Sequence, residues 1–141
     1  MTYQVIYSSR ALEQLSLADL ESILVDAREG NKKRGITGAL IFVEGIFLQI
    51  LEGERDAVHD LLGSIRKDSR HSELHVIYEA EIEHAMFSAW KMAYLSASPG
   101  LIAAWLGMEG TTSVQELLAE LHRRPQQASG VAEGILTAIA E

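Results

Sequence analysis

The chain has 141 residues, of which 48% are hydrophobic, and twelve basic against twenty acidic side chains give a net charge of −8. This length fits one compact domain with its own core and leaves no room for a second independent domain. An acidic chain without a long basic run is a poor candidate for general nucleic-acid binding. The absence of cysteine excludes disulfides and thiolate metal sites.

The hydropathy of the chain argues against a membrane segment. No apolar run approaches the ~20 residues that a spanning helix needs. The first residues, MTYQVIYSSR, resemble a strand more than a signal peptide. We therefore expect a cytoplasmic protein.

The chain is predicted to begin with a strand and a helix. A β-branched and aromatic run predicts a strand at Tyr3–Ser9. Apolar residues then recur at intervals of three and four, which predicts a helix over Ser16–Glu29 that ends at Gly30. The polar stretch 30–35 is interpreted as a linker into the next strand.

A β-hairpin is predicted next and forms the centre of the sequence. Strands at Ala39–Val43 and Ile46–Leu51 are joined by Glu44-Gly45, and a two-residue connection containing glycine is typical of a hairpin. Both faces of each strand are apolar except at Gln49. We therefore expect these strands in the middle of a sheet that is covered on both sides.

The next part of the chain repeats the alternation of helix and strand. Helical spacing predicts a second helix from about Glu54 to Lys67. Alternating apolar residues predict a strand at Glu73–Glu81, and after the polar turn Ile82–Ser88 a further strand is predicted at about Ala89–Ser96. This order predicts an α+β fold, a ferredoxin-like βαββαβ sandwich with one additional strand. Right-handed crossovers would place both helices on the same face of the sheet.

The C-terminal part is predicted to be a helical cap. We divide the chain into a domain of residues 1–96 and a helical extension of residues 97–141 that packs on the sheet. Three short helices are predicted, at Leu101–Leu106, Val114–His122 and Val131–Ala140. They would cover the face of the sheet lined by Gln4, Ile6, Leu40, Phe42, Leu48 and Ile50.

Polar side chains within the apolar strands are the first candidates for a site. The predicted strand order places Tyr7 beside Gln49 between the two helices, where an unpaired amide would cost about 1–3 kcal/mol. One interpretation is a buried structural pair, in which the phenol and the amide satisfy each other. The other is a ligand site: Asn31, just past the predicted end of the first helix, would converge with them on a gap that admits an aromatic ligand.

The sequence resembles the BLUF family of flavin-binding blue-light sensors over about residues 1–96. The matching motifs are IYSS at 6–9, Asn31 followed by GITG at 35–38, FLQILEG at 47–53, DSRH at 68–71 and FSAWKM at 87–92. Their order and spacing all agree with the family.

The resemblance implies that FAD is bound noncovalently between the two helices. In that family the residue matching Tyr7 donates an electron to the excited flavin, and a proton follows through the residue matching Gln49. The amide then changes orientation or tautomer and leaves a small red shift in flavin absorption, with no substrate converted. Asn31 would hold the pyrimidine edge of the ring, and Ile23, Ile36 and Ile65 are placed to enclose it.

Two positions depart from the pattern of many relatives. A second polar residue before the flavin-binding Asn is here Gly30, and an Arg on the second helix near the phosphates is here Ser64. Phosphate contacts would then fall to Arg70, Lys32 or Lys33, so FMN and riboflavin are alternatives to FAD. The remaining cofactor-binding candidates, within the DSRH motif, are Asp68 and His71.

Trp90 and Met92 are the predicted switch residues. They have the same parity on the fifth predicted strand and would therefore share a face. In the family, the matching Trp and Met compete for the place beside the glutamine. Exchange of the two would make the strand a bistable element whose movement is felt by the C-terminal helices.

The resemblance implies a sensor and not an enzyme. With no attached enzymatic domain expected, the signal would pass to a downstream effector protein by direct contact, through the cap or the interface of a homo-oligomer. No metal site is expected, since the five histidines have no ligand spacing. The alternatives are a flavin-free regulatory module, in which Tyr7 and Gln49 are only a structural pair, and a small flavoenzyme.

Overall fold

The computed structural model describes residues 1–108 and 113–140. Five strands form one mixed sheet in the order β4-β1-β3-β2-β5. The strands are β1 Thr2–Ala11, β2 Thr37–Val43, β3 Ile46–Gly53, β4 His71–Ile82 and β5 Ala93–Ser96. The helices are α1 Leu17–Arg34, α2 Arg55–Lys67, α3 Pro99–Trp105, α4 Val114–Arg123 and α5 Ala128–Ala140, with a short 3-10 turn at Pro125–Gln127. The predicted ferredoxin-like order, the added strand and the helical cap are confirmed.

The β2–β3 hairpin sets the register of the central strands. Glu44 and Gly45 both adopt positive φ, 44° and 81°, which is the backbone that a two-residue hairpin turn requires. The turn leaves Val43 opposite Ile46 and therefore Leu40 opposite Gln49. On the other side of β3, antiparallel pairing with β1 places Tyr7 opposite Gln49.

Helix α1 is longer than predicted. It begins after Ser16, whose side chain accepts a hydrogen bond from the Asp19 amide, and it continues through Gly30 to Arg34. Glycine inside a helix costs only about 1 kcal/mol, which tertiary packing can offset. The helix ends at Gly35, which adopts the left-handed conformation at φ 68°. The predicted end at Gly30 and the linker interpretation of residues 30–35 were therefore wrong.

The last strand is shorter than predicted. Strand β5 begins at Ala93 and pairs in parallel with β2, so the predicted start at Ala89 was wrong. Residues 86–92, which we call the 86–92 segment, form a turn and loop before the strand. Trp90 and Met92 therefore lie ahead of the sheet, where the alternation of a strand does not govern their directions.

The two faces of the sheet carry two separate hydrophobic clusters. One cluster lies under α1 and α2 and includes Tyr7, Phe47 and Leu51, which confirms that both helices cover the same face. The other lies under the C-terminal helices and includes Ile6, Leu48 and Ile50. Its cap residues include Ile102, Leu106, Val114, Leu117, Leu121, Val131 and Ile135.

Leu40 and Phe42 lie on the face opposite to the one predicted. Both pack in the cluster under α1 and α2, while Ala39 and Ile41 face the cap. The reason is the hairpin register: residues directly opposite on paired strands point to the same face, and Leu40 is opposite Gln49. Within the described residues, no helix is long and apolar enough to cross a membrane.

The close approach at Gly38 yields a stability prediction. A Cβ built at Gly38 would lie 1.9 Å from the carbonyl oxygen of Ile50, so Gly38→Ala should destabilise the fold by roughly 1–3 kcal/mol through overpacking. Urea unfolding followed by circular dichroism measures this loss. The matched control is Gly63→Ala in α2, where an added Cβ would meet no atom within 4 Å outside its own helix. There the better helix propensity of alanine should raise the free energy of unfolding by about 1 kcal/mol. Equal effects of the two changes would contradict the packing argument.

Candidate functional site

A cavity of about 200 Å³ lies between α1 and α2, against the middle of the sheet. Its walls are apolar where Ile23, Leu40, Leu61 and Ile65 face it. Its lining also includes the polar residues Asp26, Asn31, Arg34, Gln49, Ser64, Asp68, Arg70 and His71. Apolar walls with a few convergent polar groups are typical of a small-molecule site.

Tyr7 and Gln49 form a hydrogen bond at the inner wall of this site. The antiparallel register of β1 and β3 makes the two residues direct neighbours, and the Tyr7 hydroxyl donates to Gln49 Oε1. Tyr7 is completely buried. Burial, together with the negative charge of Asp68, raises the pKa of the Tyr7 phenol above its usual range. Tyr7 is therefore a neutral hydrogen-bond donor at physiological pH.

The nitrogen end of the Gln49 amide has a much weaker partner. Gln49 Nε2 donates to Met92 Sδ at 3.4 Å, and a thioether sulfur is a weak acceptor. The amide also lines the cavity. One end of Gln49 is thus held by Tyr7, while the other has donor capacity that a ligand acceptor could use.

Asn31 has a buried oxygen atom that is unpaired. Its Nδ2 donates to the Lys91 carbonyl at 2.6 Å, but Asn31 Oδ1 has no hydrogen-bond partner within residues 1–108 and 113–140. Such an atom costs about 1–3 kcal/mol when it is left without a partner. Because Asn31 lines the cavity, an N–H group on the edge of a bound ring would satisfy it. Asn31 lies within the last turn of α1, and not beyond the helix as predicted.

An ion-pair cluster of Asp26, Asp68 and Arg70 lies in the cavity lining. Arg70 donates to both carboxylate oxygens of Asp68, at 2.7 to 3.1 Å, and to Asp26 at 3.1 Å. The hydrogen bonds from Arg70 lower the pKa of Asp68 below its usual range. The Arg70 guanidinium is therefore already committed to two carboxylates.

His71 contributes a neutral ring beside the same wall. Its Nδ1 lies 2.9 Å from Ser9 Oγ, and its ring centroid lies 4.8 Å from that of Phe47. Burial lowers the pKa of His71, so the imidazole is uncharged at neutral pH. Within the described parts of the chain, no group of three or more His, Asp or Glu side chains could hold a metal ion.

Most of the predicted site residues gather around this cavity. The structure places Ile23, Asn31, Gln49, Ile65, Asp68, Arg70 and His71 in its lining, and Tyr7 directly behind Gln49. Ile36 is fully buried in the same hydrophobic cluster but is not one of the described residues that line the cavity. Lys32 and Lys33 are exposed and do not line it either.

Trp90 and Met92 do not share a face, which corrects the prediction. Met92 is 2% exposed and packs in the cluster under α1 and α2, whereas Trp90 is partly buried against the cluster under the cap. In this structure Met92 is the residue beside Gln49. The irregular backbone of the 86–92 segment is the reason, since strand alternation does not apply there.

Sequence reasoning missed several lining residues. Asp26, Ala27 and Arg34 lie on the α1 face that also carries Ile23 and Asn31. Their spacing of three and four is the signal that could have found them, but the helix was predicted to end before Arg34. Leu40 was missed because it was assigned to the other face of the sheet.

The dimensions and donors of the cavity are compatible with a flavin ring. Pockets for whole drug-sized ligands occupy about 300–1,000 Å³, so a cavity of about 200 Å³ suits the ring alone, with the rest of the molecule outside. The apolar walls suit its faces, and the unpaired Asn31 Oδ1 and the Gln49 amide suit its polar edge. The residues present therefore fit the group.

The Asp68–Arg70 pair leads to a pH-dependent prediction. Because the folded-state pKa of Asp68 is lowered, its stabilising contribution is present above the unfolded value of ~3.9 and is lost as pH falls through the folded value. Arg70→Gln should move the Asp68 pKa back toward ~3.9, as measured by NMR titration. The loss of stability of Arg70→Gln relative to wild type, measured by urea unfolding, should be largest above pH ~4 and should shrink below it. Arg10→Gln is the control, since the Arg10–Glu73 pair is exposed and an exposed ion pair contributes little to stability.

Comparison with known proteins agrees with this geometry. The model of a family described as BLUF, sensors of blue-light using FAD, matches residues 2–93. The dark-state structure of BlrB, a BLUF protein, aligns with a TM-score of 0.76 and 25% identity over 97% of this chain and 96% of that one. The ground-state structure of BlsA aligns with a TM-score of 0.72 and 32% identity over 79% of this chain and 76% of that one.

A longer protein is similar to this chain over part of its length. Photoactivated adenylate cyclase subunit beta of Euglena gracilis is 33% identical over 108 residues, which are 76% of this chain but 12% of that protein. This chain thus matches only a small part of the length of that cyclase subunit. The family match covers all the described residues that line the cavity, together with Tyr7 and Met92. The chain belongs to the BLUF family of flavin-binding blue-light sensors.

Proposed function

We propose that this chain holds a flavin between α1 and α2 and responds to blue light through Tyr7 and Gln49. The observation that carries the proposal is the Tyr7–Gln49 hydrogen bond at the inner wall of a cavity that also contains the unpaired Asn31 oxygen. Asn31 would hold the polar edge of the ring, and Ile23 and Ile65 would pack on it. The bound flavin supplies the absorption of blue light and an excited state that accepts an electron.

Tyr7 is the electron donor in this proposal. Its phenol is neutral and fully buried, so its proton has one evident route, along the hydrogen bond from the Tyr7 hydroxyl to Gln49 Oε1. A phenol that has lost an electron is a strong acid, and the proton therefore moves to the amide oxygen. Electron and proton both return to Tyr7 afterwards, so the chain is chemically unchanged.

After the electron and proton have returned, the hydrogen bonds of Gln49 remain changed. An amide has a donor end and an acceptor end of nearly equal size, so it can rotate or tautomerise at little steric cost. Either change alters what Gln49 presents to Met92 Sδ, which lies 3.4 Å from Nε2. Met92 and Trp90 then act as the switch: when their contacts change, the 86–92 segment moves and displaces β5.

We propose that the output is a protein–protein contact. Strand β5 and the C-terminal helices lie next to the 86–92 segment, so a shift there reaches the cap or an interface between copies of the chain. A downstream effector protein would read this change. In this reading the chain is a sensor and not a catalyst.

FAD is the proposed form of the flavin, and FMN and riboflavin are the alternatives. Arg70, a predicted phosphate contact, is held by Asp68 and Asp26, which leaves Arg34 as the cation on the cavity lining for a phosphate group. Comparing the affinities of the three flavins for the flavin-free chain tests this choice. An unchanged affinity from riboflavin to FAD would contradict a phosphate contact.

One alternative function is supported by an observation. The Tyr7 hydroxyl and Gln49 Oε1 satisfy each other, which is also what a purely structural pair in a flavin-free regulatory module would do. The absorption spectrum of the purified protein separates the two. Flavin bands that shift reversibly to the red under blue light support the sensor, and the inability to bind flavin supports the module. Turnover of an electron donor would instead indicate a flavoenzyme.

Removing either member of the polar pair should abolish the light response. Tyr7→Phe and Gln49→Leu should lose the light-induced red shift completely, since one lacks the donor and the other lacks the invertible amide. Both should retain bound flavin. The measurement is the light-minus-dark absorption spectrum. The control is Tyr3→Phe, on the same strand and in the same cluster but bonded to Glu79, which should leave the shift intact. A full shift in either test variant would refute the proposal.

Removing the Asn31 amide should weaken flavin binding. Asn31→Ala deletes the acceptor proposed for the ring edge, and one hydrogen bond of about 0.5–1.5 kcal/mol corresponds to a roughly 2- to 12-fold rise in Kd. Flavin fluorescence quenching during titration measures the affinity. Glu21→Ala, at an exposed position on α1 that does not line the cavity, is the control. Equal affinities for wild type and Asn31→Ala would remove Asn31 from the site.

A further inference from the structure

Glu52 is a buried acidic residue to which the proposed photochemistry gives no role. It lies near the end of β3, three residues beyond Gln49, and is 1% exposed. Strand alternation places it on the face of the sheet opposite to Gln49. Glu52 is therefore not placed to contact the cavity or the Gln49 amide directly.

The Glu52 side chain binds the start of the 86–92 segment. It accepts hydrogen bonds from the backbone amides of Met86, at 2.9 Å, and Phe87, at 2.8 Å. A third donor is Gln4 Nε2 on β1, at 2.9 Å. A buried carboxylate needs such a set of N–H donors, and bonds to a charged acceptor are stronger than those between neutral groups. Glu52 thus fixes the backbone of the segment to the central strand.

Further hydrogen bonds fix the backbone of the segment between Phe87 and Met92. The Trp90 amide donates to the Phe87 carbonyl at 3.0 Å, so the residues between them form a closed turn. The Trp90 carbonyl then accepts from the Gly38 amide at 3.2 Å. A displacement of the Phe87 backbone therefore also displaces the backbone of Trp90.

Helix α1 holds the other end of the segment. Asn31 Nδ2 donates to the Lys91 carbonyl at 2.6 Å, and Arg28 Nε donates to the Met92 carbonyl at 3.1 Å. These bonds limit the movement of the Met92 backbone, while its side chain reaches Gln49 Nε2. The place of Met92 Sδ thus depends on bonds at both ends of the segment.

We propose that Glu52 is a positioning residue of the light sensor: it anchors the start of the 86–92 segment and thereby holds Met92 Sδ beside the Gln49 amide. This inference rests on the proposed function, because it assigns Glu52 to the same switch. Glu52 acts from the far face of the sheet, through the backbone and without contact with the flavin. In this proposal Glu52 fixes the segment that joins the surroundings of the Gln49 amide to strand β5.

The test is the methyl NMR signal of Met92 in the dark, recorded on the full chain with methionine methyl groups labelled. The chain has four methionines, and Met86 and Met92 are assigned by Met86→Leu and Met92→Leu. Glu52→Gln keeps the shape but replaces one acceptor oxygen with a donor, so the amides of Met86 and Phe87 lose part of their partner. The Met92 signal is expected to move by more than its line width, although Met92 packs on the other face.

Two further variants make the result interpretable. Glu79→Gln removes the same charge at an exposed site on β4 and should leave the Met92 signal in place. Gln4→Leu removes one donor to Glu52 and keeps the carboxylate, so it should shift the Met92 signal by less than Glu52→Gln does. It serves as the test variant if Glu52→Gln fails to fold. A shift of the Met86 signal alone, with Met92 unmoved in both variants, would overturn the proposal and leave Glu52 as a local structural residue.

A second readout connects the position to the light response. In Glu52→Gln the rate of dark recovery should change several-fold, while Glu79→Gln, which removes the same charge at an exposed site on β4, should recover at the wild-type rate. Equal changes in both variants would overturn the role of Glu52. If wild type shows no light-induced shift, the proposed function fails, and the Met92 signal in the dark still decides whether Glu52 positions the segment.

Discussion

Tyr7 and Gln49 face each other in an otherwise apolar layer because β1 and β3 pair in an antiparallel register that makes them direct neighbours. On the other side of β3, the two-residue turn at Glu44-Gly45 sets the register with β2 and places Leu40 opposite Gln49. A slip by one residue would turn every side chain of a strand to the other face. It would leave a phenol and an amide without partners in a dry core, at about 1–3 kcal/mol for each unsatisfied group.

The sheet separates two different environments. The face under α1 and α2 contains a cavity with polar groups in its lining, whereas the face under α3, α4 and α5 carries a large hydrophobic cluster. The 86–92 segment is where the two meet, since Met92 packs on the first face and Trp90 on the second. The segment therefore connects the surroundings of Gln49 with the cap.

Much of the fold was predictable from local patterns. The helical spacing after Leu17, the glycine in the hairpin turn and the alternation in β4 are properties of a few neighbouring residues, and each gave the correct kind of element. The polar pair was also predictable, because an amide within a run of apolar strand residues must find a partner. The end of α1 was not, since Gly30 and Gly35 are both plausible terminators. The helix continues past Gly30, and Asn31 in its last turn is held by the Lys91 carbonyl, 60 positions away in sequence.

Short-range periodicity and side-chain chemistry are enough to predict the order of the elements, the position of the hairpin turn and the importance of Tyr7, Asn31 and Gln49. Three other features depend on the folded chain: Leu40 faces the cavity, Met92 and not Trp90 lies beside Gln49, and Glu52 holds the backbone of residues 86–87. The physical reason is that each of these is a choice between two faces or two partners that are locally equivalent. Contacts between residues distant in sequence make one choice lower in free energy than the other.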